Sequence, residues 1–143
     1  MAAAERSVTI ARSPDTVFAF VADGLNGPRW RQGVLDVSLV SGSGVGAVYR
    51  QGVKGPGGRR VAADYKVTTY DPPRLLAFQT IAGPVHPRGE FRLEPVPEGT
   101  RLTFALSAEL GRVSGLFLGG SVQRTMDAEV AAIERLKALV EAA

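Results

Sequence analysis

The spacing of apolar and polar residues changes twice along the chain, and each change marks a different kind of element. In ERSVTIAR (5–12) Val8 and Ile10 alternate with polar neighbours, the two-residue period of a half-buried strand. SPDTVFAFVAD follows with helical spacing, in which Val17, Phe18 and Val21 share a face with Pro14. Ser13 supplies its N-cap, Pro14 fills the first helical position, where no N–H is needed, and Asp15 sets a carboxylate at the positive helix end. GLNGPRWRQG carries enough Gly and Pro to read as a broken second turn or short helix.

From Val34 to Leu110 the period becomes two, punctuated by SGSGVG, KGPGG, DPP, AGPVHP and PEGT. This spacing predicts a six-stranded antiparallel meander. Its inward sets are Leu35, Val37 and Leu39; Tyr49, Gln51 and Val53; Ala63, Tyr65 and Val67; Leu76, Phe78 and Thr80; Phe91 and Leu93; and Leu102, Phe104 and Leu106. Polar residues alternate with them, so the other face of the sheet is expected to meet water. From about Arg112 to Glu141 the helical period returns, with Leu118, Val122, Met126, Val130 or Glu129, Ile133, Leu136 or Lys137, and Val140 three or four apart. Some thirty helical residues span about 45 Å. A helix of that length with one apolar stripe needs a large concave partner, and the inner face of the meander is the candidate. Gly115, Gly119 and Gly120 would mark a kink in its first turns.

Composition narrows the chemistry. A length of 143 residues suits one domain, here 1–143, able to bury a core without disulfides or a structural metal. There is no Cys and only one His, which removes thiol catalysis and cysteine-ligated metal sites and leaves no second imidazole for a zinc site, so no metal and no cofactor are expected. GxGxxG after a strand, GxxxxGK[ST] and GxSxG are all missing, so nucleotide, phosphoryl-transfer and serine-hydrolase readings have no anchor. The net charge of +3 comes mostly from scattered Arg, and KGPGGRR (54–60) reads as a hairpin tip rather than a nucleic-acid stripe. No stretch has the form of a signal peptide or approaches the roughly 18 apolar residues of a membrane span. A cytoplasmic protein without integral membrane association is therefore expected.

The stretches VTIARSPDTVFAFVAD, GPRWRQGV, VTTYDPPRLLAF and PEGTRLTFAL, with the closing helix ERLKALVE, cover most of the chain in an order that resembles the START-like (SRPBCC) superfamily, and within it the polyketide cyclase/dehydrase-type proteins. The resemblance implies an α+β helix-grip fold: a first strand, two short helices and a six-stranded meander, curved strongly around a long C-terminal helix. It also implies a mostly apolar cavity between sheet and helix, whose lining decides function.

His86 in AGPVHPRGEF is the obvious acid or base, with Asp64, Glu90 or Glu109 as residues that would orient it. Its flanking prolines favour a structural or mouth-lining role. Tyr65 is the other weak catalytic candidate, a phenol on an inward-facing strand position able to donate to a ligand carbonyl, and Tyr49 is a lesser candidate of the same kind. Gln51 and Thr80 are the remaining polar residues in inward register. Trp30 sits where related folds place a lid, and Phe78, Phe91, Phe104, Phe117, Val122 and Met126 complete the expected apolar lining. Carriage of a hydrophobic small molecule (lipid, polyketide or aromatic metabolite) ranks first. A cofactor-free polyketide cyclase or dehydratase using the same pocket ranks second, and a protein-interaction module third. A homodimer is compatible with any of them.

Overall fold

The computed structural model describes residues 2–109 and 112–143, with the side chains of residues 112–121 excepted. Its elements are β1 (Ala2–Ile10), α1 (Pro14–Ala22), α2 (Gly27–Trp30), β2 (Val34–Ser41), β3 (Val48–Lys54), β4 (Arg60–Ala62), β5 (Tyr65–Asp71), β6 (Leu75–Thr80), β7 (Arg88–Val96), β8 (Gly99–Ala108), α3 (Arg112–Ala131) and α4 (Ile133–Ala142). The strands form one antiparallel sheet ordered β1-β8-β7-β6-β5-β3-β2, with β4 paired to β3 alone. This is the helix-grip arrangement: a curved antiparallel sheet of eight strands and a long C-terminal helical segment lying across it.

The local signals act as the sequence suggests. Ser13 is extended at ψ 155°, and its hydroxyl accepts the Thr16 N–H at 3.3 Å, which starts α1. Val17, Phe18 and Val21 are buried beneath that helix. Asp23 then caps a single 3-10 turn by accepting the Leu25 N–H at 3.1 Å, and the chain passes into α2, the broken second helix expected from GLNGPRWRQG. In β6, β7 and β8 the inward sets hold: Leu76, Thr80, Phe91, Leu93, Leu102, Phe104 and Leu106 are buried, and Phe78 is half-buried against them.

The meander departs from expectation in three places. It has seven strands rather than six, because the run expected to carry Ala63, Tyr65 and Val67 as one strand breaks at Ala63–Asp64 into β4 and β5. There the Ala63 N–H bonds the Gln51 carbonyl at 2.8 Å while the Asp64 carboxylate accepts the Gln51 N–H at 3.2 Å, so a side chain replaces one rung of the ladder. In β2 a bulge at Leu35 shifts the inward set to Val34, Val37 and Leu39, which face Val53, Gln51 and Tyr49 across the ladder. Leu35 is thereby 48% exposed. A second bulge at Thr68 brings Tyr70, not Thr69, opposite Leu76, where its ring meets Phe18 edge-on at 5.4 Å. The outer face is also less wet than alternation implies, since Thr103 is buried with its hydroxyl 2.7 Å from that of Ser7.

The C-terminal stripe is real but interrupted. Met126, Val130, Ile133, Leu136 and Val140 are buried, Val122 is half-buried, and the side chain of Leu118 lies outside the described residues. The break falls at Ala132, whose N–H is shared between the carbonyls of Ala128 and Glu129 at 3.1 Å each, a local tightening that ends α3 and begins α4. Beyond it Ile133 and Leu136 are completely buried. Lys137 donates to the Thr9 carbonyl at 2.8 Å, and Glu141 accepts the Ala11 N–H at 2.8 Å, which fastens α4 along β1.

Candidate functional site

The concave face is organised in cross-strand rows, because antiparallel register places side chains of one face directly opposite each other. One row runs Leu39, Tyr49, Tyr65 and Thr80, and another runs Tyr70, Leu76, Phe91 and Phe104. Register alone makes Tyr49 and Tyr65 neighbours, and their rings stack at 5.0 Å with 14° between planes. Phe91 and Phe104 stack likewise at 4.4 Å and 14°. Phe78 bridges the two stacks, 5.5 Å from Tyr65 and 6.3 Å from Phe91. Trp30, buried on α2, closes over the second stack with edge-on contacts to Phe91 at 6.0 Å and Phe104 at 5.8 Å.

These six aromatic residues, all expected lining, surround a cavity of only about 40 Å³. A water needs ~10–15 Å³ of such space, so the cavity has room for a few waters at most and none for a metabolite. Its far wall is the Asp23–Gly24 turn. A Cβ on Gly24 would lie 2.7 Å from Cε1 of Tyr49 and closer still to the Tyr65 hydroxyl, so only glycine lets this turn approach the tyrosine stack. Burial pushes the Tyr65 phenol above its ordinary range, outweighing the opposite pull of the Arg31 charge. Tyr65 is therefore a neutral hydrogen-bond donor at physiological pH.

Arg31, which the sequence reading did not single out, carries the polar part of this interior. Its Nε lies 2.6 Å from Glu129 of α3, with both side chains less than a fifth exposed, and its Nη1 donates to Gln51 Oε1 at 3.1 Å. Gln51 in turn donates from Nε2 to the Ala63 carbonyl at 3.2 Å. Gln51, expected to meet ligand, is thus occupied in positioning Arg31, and it lines neither this cavity nor the groove beside Met126. The available sequence signal was Glu129, a carboxylate at the ambiguous step of an otherwise apolar stripe. A charge there requires a partner from the facing wall.

A second, larger space lies on the other side of the Tyr65–Thr80 pair. It is a groove of about 270 Å³ between α3, the β3–β4 hairpin and the β6–β7 connection. Thr80, Val122 and Met126, three of the expected lining residues, meet there with Val61, Ala62, Val85, Pro84 and Pro87. The last expected lining residue, Phe117, lies outside the described side chains. His86 is exposed and is not part of the groove wall, and its Nε2 donates to the Gly83 carbonyl at 2.9 Å within its own turn. None of the carboxylates expected to orient it does so. Asp64 binds Gln51, Glu90 faces Arg92 at 3.4 Å, and no contact of Glu109 with His86 is found among the described residues.

Comparison with known proteins places this geometry in a family. The family model described as "Polyketide cyclase / dehydrase and lipid transport" matches residues 1–141. Among solved structures, a protein from Thermus thermophilus superposes with a TM-score of 0.80 at 23% identity, covering 99% of this chain and 97% of the other. A START superfamily protein from Mycobacterium smegmatis gives 0.77 at 16% identity, with 98% and 97% covered. The ZhuI aromatase/cyclase from Streptomyces sp. R1128 gives 0.71 at 21% identity, with 97% and 93% covered. At these identities the likeness is one of fold. No curated protein matches the chain. No helix among the described residues is long and apolar enough to cross a membrane.

Proposed function

Because the chain belongs to the polyketide cyclase/dehydrase and lipid transport family, we propose that it binds and carries a small hydrophobic molecule in the groove between the sheet and the C-terminal helix. The observation that carries this reading is the groove itself, about 270 Å³ and walled mainly by Val53, Val61, Val85, Val122 and Met126 with three prolines. Drug-sized ligand sites occupy roughly 300–1,000 Å³, so the occupant is a short chain or a single ring system. No pair of titratable side chains converges on the groove among the described residues, which favours binding over acid–base chemistry. Native mass spectrometry of freshly purified protein, followed by calorimetric titration of any released ligand into wild type and Met126→Ala, tests the reading. The reading predicts a bound apolar molecule whose affinity changes with Met126. A ligand indifferent to Met126, or protein that binds no apolar compound, would overturn it.

One observation supports a second reading, cofactor-free cyclisation or dehydration of a poly-β-ketone: the neutral Tyr65 phenol lies beside Arg31 at the tyrosine-lined cavity. The Streptomyces aromatase/cyclase with this fold lends it support. The 40 Å³ cavity would have to open for such a substrate. Turnover that Tyr65→Phe abolishes without loss of stability would establish this reading in place of carriage.

A further inference from the structure

Among the described residues four polar side chains are buried: Gln51, Thr80, Thr100 and Thr103. Three of them are bonded within the fold. Gln51 joins Arg31 to the Ala63 carbonyl, Thr100 donates to the Arg12 carbonyl at 2.7 Å, and the Thr103 hydroxyl lies 2.7 Å from that of Ser7. Thr80 is only 5% exposed, yet its hydroxyl bonds to no described residue. No described side-chain oxygen is both sealed from solvent and unbonded, so this hydroxyl opens on a space outside the packed core. Thr80 belongs to the wall of the groove and not to that of the aromatic cavity. Strand alternation explains the placement, because β6 turns Leu76, Phe78 and Thr80 onto the concave face and the ladder sets Thr80 opposite Tyr65. The wall around it is apolar, with Val61, Val85, Val122 and Met126. Lys54, the charged residue of that wall, pairs with Arg60 across the ladder and so lies on the outer sheet face, one step from the Val53–Val61 pair that faces the groove.

Resting on the carrier reading above, we infer that the ligand is a neutral apolar molecule bearing an oxygen, a ketone or an alcohol, and that this oxygen exchanges a hydrogen bond with the Thr80 hydroxyl inside the groove. Buried polar groups in folded proteins are hydrogen-bonded, and this one takes its partner from the occupant of the groove. A hydroxyl both donates and accepts, so it serves a carbonyl or a hydroxyl equally. A hydrocarbon would strip water from Thr80 and return no bond. An anion would lose its hydration beside a hydroxyl to which no described cation is directed.

The test is calorimetric titration of two shape-matched pairs into the intact chain and into Thr80→Val, Thr80→Ser and Thr125→Val. Acetophenone is paired with α-methylstyrene, in which a methylene replaces the oxygen, and α-phenylethanol with cumene, in which a methyl replaces the hydroxyl. Thr80→Val keeps the shape of the side chain and removes its hydroxyl, and the hydrocarbon of each pair reports whether the variant groove still binds. Thr125 is the exposed hydroxyl of the same wall. One net hydrogen bond predicts that Thr80→Val weakens at least one oxygenated compound by about two- to tenfold relative to its hydrocarbon partner. Thr80→Ser and Thr125→Val should keep the wild-type ratio. A loss for acetophenone assigns a carbonyl, and a loss for α-phenylethanol assigns a hydroxyl. Ratios that Thr80→Val leaves unchanged in both pairs, or a loss that Thr80→Ser or Thr125→Val shares in full, would overturn the inference while leaving the carrier reading intact. Binding of none of the four compounds would overturn both.

Discussion

Phe104→Ala removes the ring on which the aromatic wall rests. That ring is 1% exposed, stacked on Phe91 and capped edge-on by Trp30. Returning a buried Phe to water costs about 1.5–3 kcal/mol. The vacated space adds about 24 cal/mol for each Å³ that fails to collapse, or about 1 kcal/mol if some 50 Å³ remains. Collapse is resisted, because β8 lies within the sheet between β1 and β7 and the ring already borders a cavity. The aromatic contacts contribute a further ~0.5–1.5 kcal/mol. A loss of about 3–5 kcal/mol is expected, a large share of the ~5–15 kcal/mol that holds a domain folded. Urea denaturation followed by circular dichroism and by Trp30 emission measures it, and the native emission should shift to the red as the indole loses its neighbour. The Phe91→Ala/Phe104→Ala double variant should fall short of the sum of the singles by at least ~0.5 kcal/mol, since the two rings share one contact. A loss below about 2 kcal/mol, or strict additivity, would refute the stacked wall.

Other expectations follow from the same interior. Glu129→Gln leaves the half-buried Arg31 guanidinium without its counter-charge and should cost about 1–3 kcal/mol, whereas Arg31→Leu/Glu129→Leu should recover much of that in a denaturation cycle. Burial raises the Tyr65 pKa in the folded state, so the fold keeps a proton that the unfolded chain releases. The associated stability is present below about pH 10 and is lost as pH rises further. Melting temperature should therefore fall more steeply above pH ~10 in wild type than in Tyr65→Phe, and parallel curves would contradict the burial of the phenol. Gly24→Ala should destabilise by about 1–3 kcal/mol through overlap with the tyrosine stack, and Tyr65→Phe should relieve part of this in thermal melts. His86→Ala, which removes an exposed side chain bonded within its own turn, should shift the denaturation free energy and any ligand affinity by less than about 1 kcal/mol.

What the sequence determined is what local geometry encodes. Ser13-Pro14-Asp15 starts a helix because the unsatisfied N–H groups of its first turn need those residue types nearby. The inward sets of β6, β7 and β8 follow from strict alternation, and Met126, Ile133, Leu136 and Val140 fall on one stripe because a helix turns every 3.6 residues. The aromatic wall was legible for the same reason, each ring sitting at an inward position of its own strand. Tertiary structure decided everything that depends on distances between remote segments. The bulges at Leu35 and Thr68 change which face a residue meets, and they depend on the partner strand as much as on the strand's own pattern. Arg31 and Glu129 are 98 positions apart and become a pair only when α3 lies across the sheet near α2. Whether the aromatic wall encloses a pocket is likewise a matter of how closely α2 and the Gly24 turn approach it, and they approach until about 40 Å³ remains. A roomier space than this cavity lies beside Met126, bounded by a hairpin tip and a loop whose composition reads only as turns. Periodicity specifies the direction of a side chain within its element, but the volume between elements is set by packing, and that volume decides where a ligand fits.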